Sequence, residues 1–184
     1  RDKILLTAHD LFYRDGIRAT GIDPLIREAG VTKVTFYRHF PSKHELILAF
    51  LRYRHERWMN WFTDALKRHG ATQVGGLGPL IPALAEWFTK PEFRGCAFIN
   101  SVAELGEFKD VVAISRRHKA DMCKVLAELL PRSRTRPVPA DELTVAVAIA
   151  VDGAIFKAQL ESTKKARLKT LEGLALILDA LQSS

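Results

Sequence analysis

Apolar residues recur at three- and four-residue intervals along almost the whole chain, and this period decides which folds are open to it. A 3.6-residue repeat lines such side chains along one face of a helix, whereas a half-buried strand needs alternation at every second position. Ile4, Leu5, Ala8, Leu11 and Phe12 form one stripe, with Gly16 as its stop. Comparable stripes cover roughly 79–89, 96–105, 108–130, 140–161 and 164–182. The stretch "TVAVAIAV" alternates as a strand would, but a lone strand has no partner here. It reads as a helix apolar on nearly all sides, buried or at a subunit interface. Gly70, "GGLGP" at 75–79 and the Pro- and Arg-rich "PRSRTRPVP" at 131–139 read as breaks between helices. "GGLG" is not a phosphate loop, since no strand precedes it and neither Lys nor Ser/Thr follows.

A chain of 184 residues, 47% hydrophobic, is long enough to hold a core without disulfide or metal staples. Its two cysteines, Cys96 and Cys123, are too far apart for a redox or zinc pair, so both read as free thiols in a reducing compartment. The opening run "RDKILLTAHDLF" is too short and too charged for a signal peptide. The longest apolar run, 143–156, falls short of the roughly 20 residues of a membrane span. A soluble, cytoplasmic protein with no membrane partner is expected. The net charge of +7 favours polyanionic partners. Residues 1–54 carry ten Lys/Arg against six Asp/Glu, more than half of that excess in under a third of the chain.

The cationic third also has the tightest punctuation. A short helix precedes "AG" at 29–30; Thr20 could cap it, but Asp23 as cap puts Pro24 in the first helical position, where the missing N–H is harmless, and the short version is favoured. Thr32 caps the next helix, which ends by Phe40 because Pro41 drives the preceding residue out of helical geometry. Ser42 and Glu45 are spaced as a capping box, opening a helix over 43–69, about 40 Å long. On the helix from Thr32 to Phe40, Phe36 and Phe40 point inward with Val31 toward Leu25, Ile26 and Ala29, while Lys33, Val34, Tyr37 and Arg38 face outward. That outward set offers a cation for phosphate, an apolar contact for a thymine methyl, an aromatic hydroxyl and a guanidinium for guanine edges. Two helices joined by "AGV" with such a face make a helix-turn-helix whose second member enters the major groove. Lys43, at a helix start where free N–H groups suit an anion, adds to the pattern.

The stretch Ala8 to Leu46, "AHDLFYRDGIRATGIDPLIREAGVTKVTFYRHFPSKHEL", resembles the N-terminal domain of TetR-family (tetracycline-repressor-like) transcriptional regulators, and "RGCAFINSVAELGE" at 94–107 is more loosely similar to some members. The resemblance implies an all-α homodimer. Residues 1–47 would form a three-helix helix-turn-helix domain, joined by the long helix to a helical effector-binding and dimerisation domain over 48–184. It implies repression of a double-stranded DNA operator, relieved by a small molecule. Phosphate contacts would fall on Lys33, Tyr37, His39 and Lys43, with Thr20 or Gly21 also approaching DNA, base contacts near Val34, Thr35, Tyr37 and Arg38, and Thr32 in the same DNA-binding set. Two departures stand out: Val34 occupies a position often held by glycine, and Arg38 one where a second aromatic is common. Pro24 counts against a contact by Thr20.

Trp58, Phe62, Trp87, Phe88, Phe93 and Phe98 read as core or as the lining of an effector cavity, with Asn100 and Glu104 as candidates for polar specificity. Cys96 reads as a small buried hydrophobe, with a sensor thiol at a helix N-terminus as the alternative. His39 and His44 lack a third ligand, so no metal or cofactor is expected. Val145, Ile149, Ile155, Phe156, Leu168, Leu171, Leu174, Leu178 and Leu181 supply either core or a four-helix dimer contact, and the resemblance favours the dimer. The chain opens on Arg1, not methionine, which leaves room for an upstream arm with minor-groove contacts. One rival reading is an all-helical enzyme or carrier with an incidental helix-turn-helix, though no catalytic constellation supports it, so no enzyme is expected. A second is an architectural protein that binds DNA without sequence preference.

Overall fold

The computed structural model of the chain describes residues 1–71, 75–130 and 138–183. Their regular structure is entirely α-helical: α1 (Asp2–Asp15), α2 (Ile22–Ala29), α3 (Lys33–His39), α4 (Lys43–Arg68), α5 (Leu80–Phe88), α6 (Ala97–Leu105), α7 (Lys109–Leu129), α8 (Ala140–Leu160) and α9 (Lys164–Ser183). Residues 131–137 of the expected Pro- and Arg-rich junction lie outside the described residues. The chain divides into two compact units, one formed by 1–58 and 96–118, the other by 59–95 and 119–184.

In the first unit the apolar stripes converge as their spacing requires. Ile4, Ala8, Leu11 and Phe12 of α1, Leu25 and Ala29 of α2, Phe36 of α3, and Leu46, Phe50 and Leu51 of α4 are all buried. Phe12 meets Phe50 edge-on at 5.5 Å, and Phe36 lies 6.4 Å from Phe40. Gly16 (φ 92°) ends α1 and Gly30 (φ 60°) turns the chain from α2 into α3, both in a left-handed region that a side chain would strain. The Thr32 hydroxyl accepts the Thr35 N–H at 3.2 Å, and Ser42 accepts the Glu45 N–H at 3.1 Å, so both expected caps form. Phe40 is extended (φ −135°), as a residue before proline should be.

The start of α2 corrects one expectation. The helix opens at Ile22 with Gly21 as its cap, not at Asp23. Pro24 then sits third in the helix, which is tolerated because no N–H of the first turn has an intrahelical partner. Asp23 serves the positive end of the helix dipole from within that turn instead of capping it.

In the second unit α8 packs on α9, and α5 packs on α9. Leu143, Val147, Val151 and Ile155 of α8 are buried with Leu171, Leu174 and Leu178 of α9. Helix thus replaces the strand alternative over 144–151. Among the described residues, α8 is long and apolar enough to cross a membrane by length and composition alone, a correction to the expected shortfall of 143–156. Alanines carry the apolar run to the whole helix, and 39% of its apolar window is buried inside the protein.

Candidate functional site

α3 lies on the surface of the first unit with only Phe36 fully buried beneath it. The four outward residues are all exposed, Val34 at 78% and Tyr37 at 41%. A valine so exposed on a seven-residue helix gains nothing from its own fold, and the Tyr37 ring keeps one edge on Phe36 at 5.3 Å, which steers its hydroxyl outward. Lys33 stands 3.7 Å from Asp23, an exposed pair that holds the ammonium near the start of α2 without neutralising the face. His39 is half-buried. Burial first, then the neighbouring cations Arg38 and Arg1, lower its pKa. Thr35 is half-buried and Gly21 exposed.

Thr20 and Lys43 are placed differently. Thr20 is buried, and its hydroxyl donates to the Gly16 carbonyl at 2.7 Å, closing the α1–α2 turn. Lys43 donates from Nζ to the Ile17 carbonyl at 2.6 Å, and burial chiefly, with Arg18 beside it, lowers its pKa against the opposing pull of Glu104. Both residues shape the turn that presents α2 and α3.

Glu104 has a role that the sequence concealed. Its carboxylate, near the end of α6, accepts the N–H of Ile17 at 3.2 Å and of Arg18 at 2.7 Å. Arg18 returns the contact through Nε to the Glu104 carbonyl at 2.5 Å and pairs with Glu107. Further along, His44 at the start of α4 bonds Asp110 at the start of α7 over 2.6 Å and lies against Phe108 at 4.9 Å. The helix-turn-helix is therefore bolted to α6 and α7 by two polar clasps, one of them charged on both sides.

The expected cavity residues fall in both units. Trp58, Phe98 and Asn100 belong to the first unit, and Phe62, Trp87 and Phe88 to the second. Trp87, Phe88 and Phe93 pack with centroids 5.0 to 6.0 Å apart, and Phe62 is fully buried. Cys96 is buried at the N-cap of α6. The first unit instead contains a cleft of about 230 Å³ between α4 and α7, lined by Arg52, His55, Glu56, Ile114 and Arg117. Below it, His55 Nδ1 lies 3.2 Å from His118 Nδ1, and the buried His118 ring stacks on Phe98 at 3.7 Å and against Trp58 at 5.1 Å. The cleft is not legible in the sequence, because "RYRHER" has the pattern of a solvated helix face and the partner residues are about sixty positions away.

A short exposed helix, set by a left-handed glycine turn against a preceding helix and carrying cations, a valine and a tyrosine, defines a helix-turn-helix protein. Residues 4–50 match the family described as "Bacterial regulatory proteins, tetR family". The chain is 36% identical over 67 residues to the HTH-type transcriptional activator FasR of Mycolicibacterium smegmatis, covering 36% of this chain and 31% of that one. It is 31% identical over 68 residues to the HTH-type transcriptional regulator QacR of Staphylococcus aureus, covering 36% of each chain. These matches span about a third of either relative's length. A TetR-family transcriptional regulator from Streptomyces coelicolor is similar over 99% of this chain and 95% of its own, with a TM-score of 0.81 and 27% identity. Residues 4–50 therefore match the DNA-binding domain of the TetR family, and the chain as a whole has the fold of a TetR-family transcriptional regulator.

Proposed function

We propose that the protein is a ligand-responsive repressor that binds a pseudo-palindromic operator as a homodimer in the cytoplasm and is released from it by a small molecule. The observation that carries this reading is the α3 face, where Lys33, Val34, Tyr37 and Arg38 are exposed together on a rigid, capped helix. Val34, Thr35, Tyr37 and Arg38 read base edges, while Lys33 and His39 meet phosphates. Phosphate contact would oppose the burial and the neighbouring cations that hold the His39 pKa down. Gly21 and the α2 N-terminus approach the backbone, and Thr20 and Lys43 hold that end in place.

The second half of the proposal rests on α8 and α9. Val145, Ile149, Phe156 and Leu160 of α8 and Leu168, Leu176 and Ile177 of α9 are exposed, while Ile155, Leu171, Leu174 and Leu178 pack inward. A second copy covering this face would form a four-helix contact and set two α3 helices on half-sites about one helical turn apart or somewhat more. Effector binding then shifts the two heads out of register, by no more than its differential affinity for the two states allows. Selection from a random duplex pool tests the reading: a recovered palindrome is expected, and a pool that stays random after selection overturns it.

A further inference from the structure

We propose that the cleft between α4 and α7 binds a small organic acid, its carboxylate paired with Arg52 and Arg117 and a hydroxyl or amino group donating to Glu56, and that this acid is the effector. The inference rests on the ligand-responsive reading above and assigns a chemical class to the ligand. The size of the cleft, about 230 Å³, lies below the roughly 300–1,000 Å³ of pockets that hold drug-sized molecules, so it admits a compact compound. Its polar chemistry is lopsided: two guanidinium groups and an imidazole face one carboxylate, with Ile114 as apolar wall. Among the described residues, no side-chain hydrogen bond or ion pair occupies Arg52 or Glu56. A planar guanidinium fork matches a carboxylate in two parallel hydrogen bonds, better than any other common anion except phosphate. Glu56 decides against a polyphosphate, which it would repel, and in favour of a ligand whose far end is a donor.

The same cleft has a physical route to the DNA-binding head within one unit. Two imidazole Nδ1 atoms 3.2 Å apart need one N–H and one lone pair between them, so His55 and His118 share a single proton at that contact. An anion held beside His55 attracts an N–H of that ring, and a turn of the ring toward the anion disturbs its Nδ1 contact with His118. His118 is buried and stacked on Phe98 at an interplanar angle of 13°, so a reorientation of its ring moves α6. At the other end of α6, Glu104 holds the Ile17 and Arg18 N–H groups of the turn that carries α2. The cleft, the histidine pair, α6 and the α1–α2 turn thus form one continuous packed path.

The test titrates the purified chain with sodium lactate, malate, 4-hydroxybenzoate, serine and glutamate, each beside its amide, by calorimetry. Inorganic phosphate and a random duplex are run in parallel. At least one carboxylate is expected to bind, its amide about tenfold more weakly or worse, and Arg52→Gln and Arg117→Gln each to weaken it by about tenfold to a hundredfold. Ile114→Trp, which fills the cleft from an apolar position, should abolish binding while the far-UV spectrum is retained. Bound carboxylate should lower operator affinity by about tenfold. Absence of binding by every carboxylate, equal binding by the three variants, or occupancy of the cleft by phosphate or duplex DNA instead would overturn the proposal. Operator selection by the ligand-free chain is scored separately: its failure removes the regulator reading and leaves carboxylate binding through Arg52 and Arg117 standing as a result of its own.

Discussion

Val34 on α3 and Leu176 on α9 are almost equally exposed, at 78% and 73%, yet their surroundings differ in kind. Val34 is a single apolar tip among Lys33, Tyr37 and Arg38 on a helix of seven residues. Leu176 belongs to a broad apolar face that continues through Ile177 and across to Ile149 and Phe156 on α8. An isolated apolar group in a cationic field suits a polyanion that also offers methyl groups, whereas a broad apolar face suits another apolar face. Exposure alone therefore says little about function, and the neighbours within a few ångströms decide which partner an exposed residue awaits.

The comparison breaks most easily at α8. In the proposed dimer, Phe156→Glu would place an unpaired charge in the α8–α9 contact, twice by symmetry, at about 3–5 kcal/mol for each buried charge. The expected result is a monomer by analytical ultracentrifugation at concentrations where the unaltered chain is dimeric, with helix content kept. A monomeric unaltered chain, or a dimer indifferent to the substitution, would leave the apolar face without its partner. At α3 the effects are smaller and differ in type. Arg38→Ala should cost about 1–3 kcal/mol on the preferred operator and less on others, relaxing sequence preference at one position of each half-site. An equal loss on cognate and scrambled duplexes would show that Arg38 meets only the backbone.

Much of this contrast was legible in the sequence. Thr32, Pro41 and the Ser42–Glu45 pair fixed the limits of α3 and the start of α4, because caps and proline act through local backbone geometry. The apolar period gave the later helices within a residue or two of their ends. What stayed hidden was mostly long-range. Glu104 read from the sequence as a candidate for polar specificity in an effector cavity, and only the fold shows it at the Ile17 and Arg18 N–H groups, 87 and 86 positions away. Sorting Ile155 and Leu174 inward and Ile149 and Leu176 outward needed the packing of α8 on α9, since both helices are apolar on more than one face. The cap of α2 failed for a local reason: a glycine N-cap has no side chain to announce it.

Lys33 and Lys43 carry the contrast to a finer scale, since both are lysines of one cationic region with different surroundings. The Lys33 ammonium is exposed, whereas that of Lys43 is bonded to the Ile17 carbonyl. Lys33→Met should lower the dependence of log affinity on log salt by about 0.9, one phosphate's worth, and leave folding stability unchanged. Lys43→Met should instead cost about 1.5 kcal/mol of folding stability in chemical denaturation, because a carbonyl in the α1–α2 turn loses a charged donor. If the two substitutions shift the salt slope equally, Lys43 reaches phosphate as well.

The smallest effect tests the clasp between α4 and α7. The hydrogen bond from His44 is the main reason that the Asp110 carboxyl titrates below its ordinary range. A carboxyl whose pKa is lower in the folded than in the unfolded chain stabilises the fold above its unfolded pKa, near 3.9, and loses that contribution as pH falls through the lower folded value. Both side chains are partly exposed, so solvent limits the pair to about 0.2–1 kcal/mol. Asp110→Asn should therefore lower the unfolding free energy by that small amount at pH 6, and the difference from the unaltered chain should vanish by about pH 2–3. A constant difference from pH 6 down to pH 2 would mean that Asp110 acts through its other contact, the hydrogen bond that it accepts from the Val111 N–H at 2.9 Å, and that His44 rests on Phe108 alone.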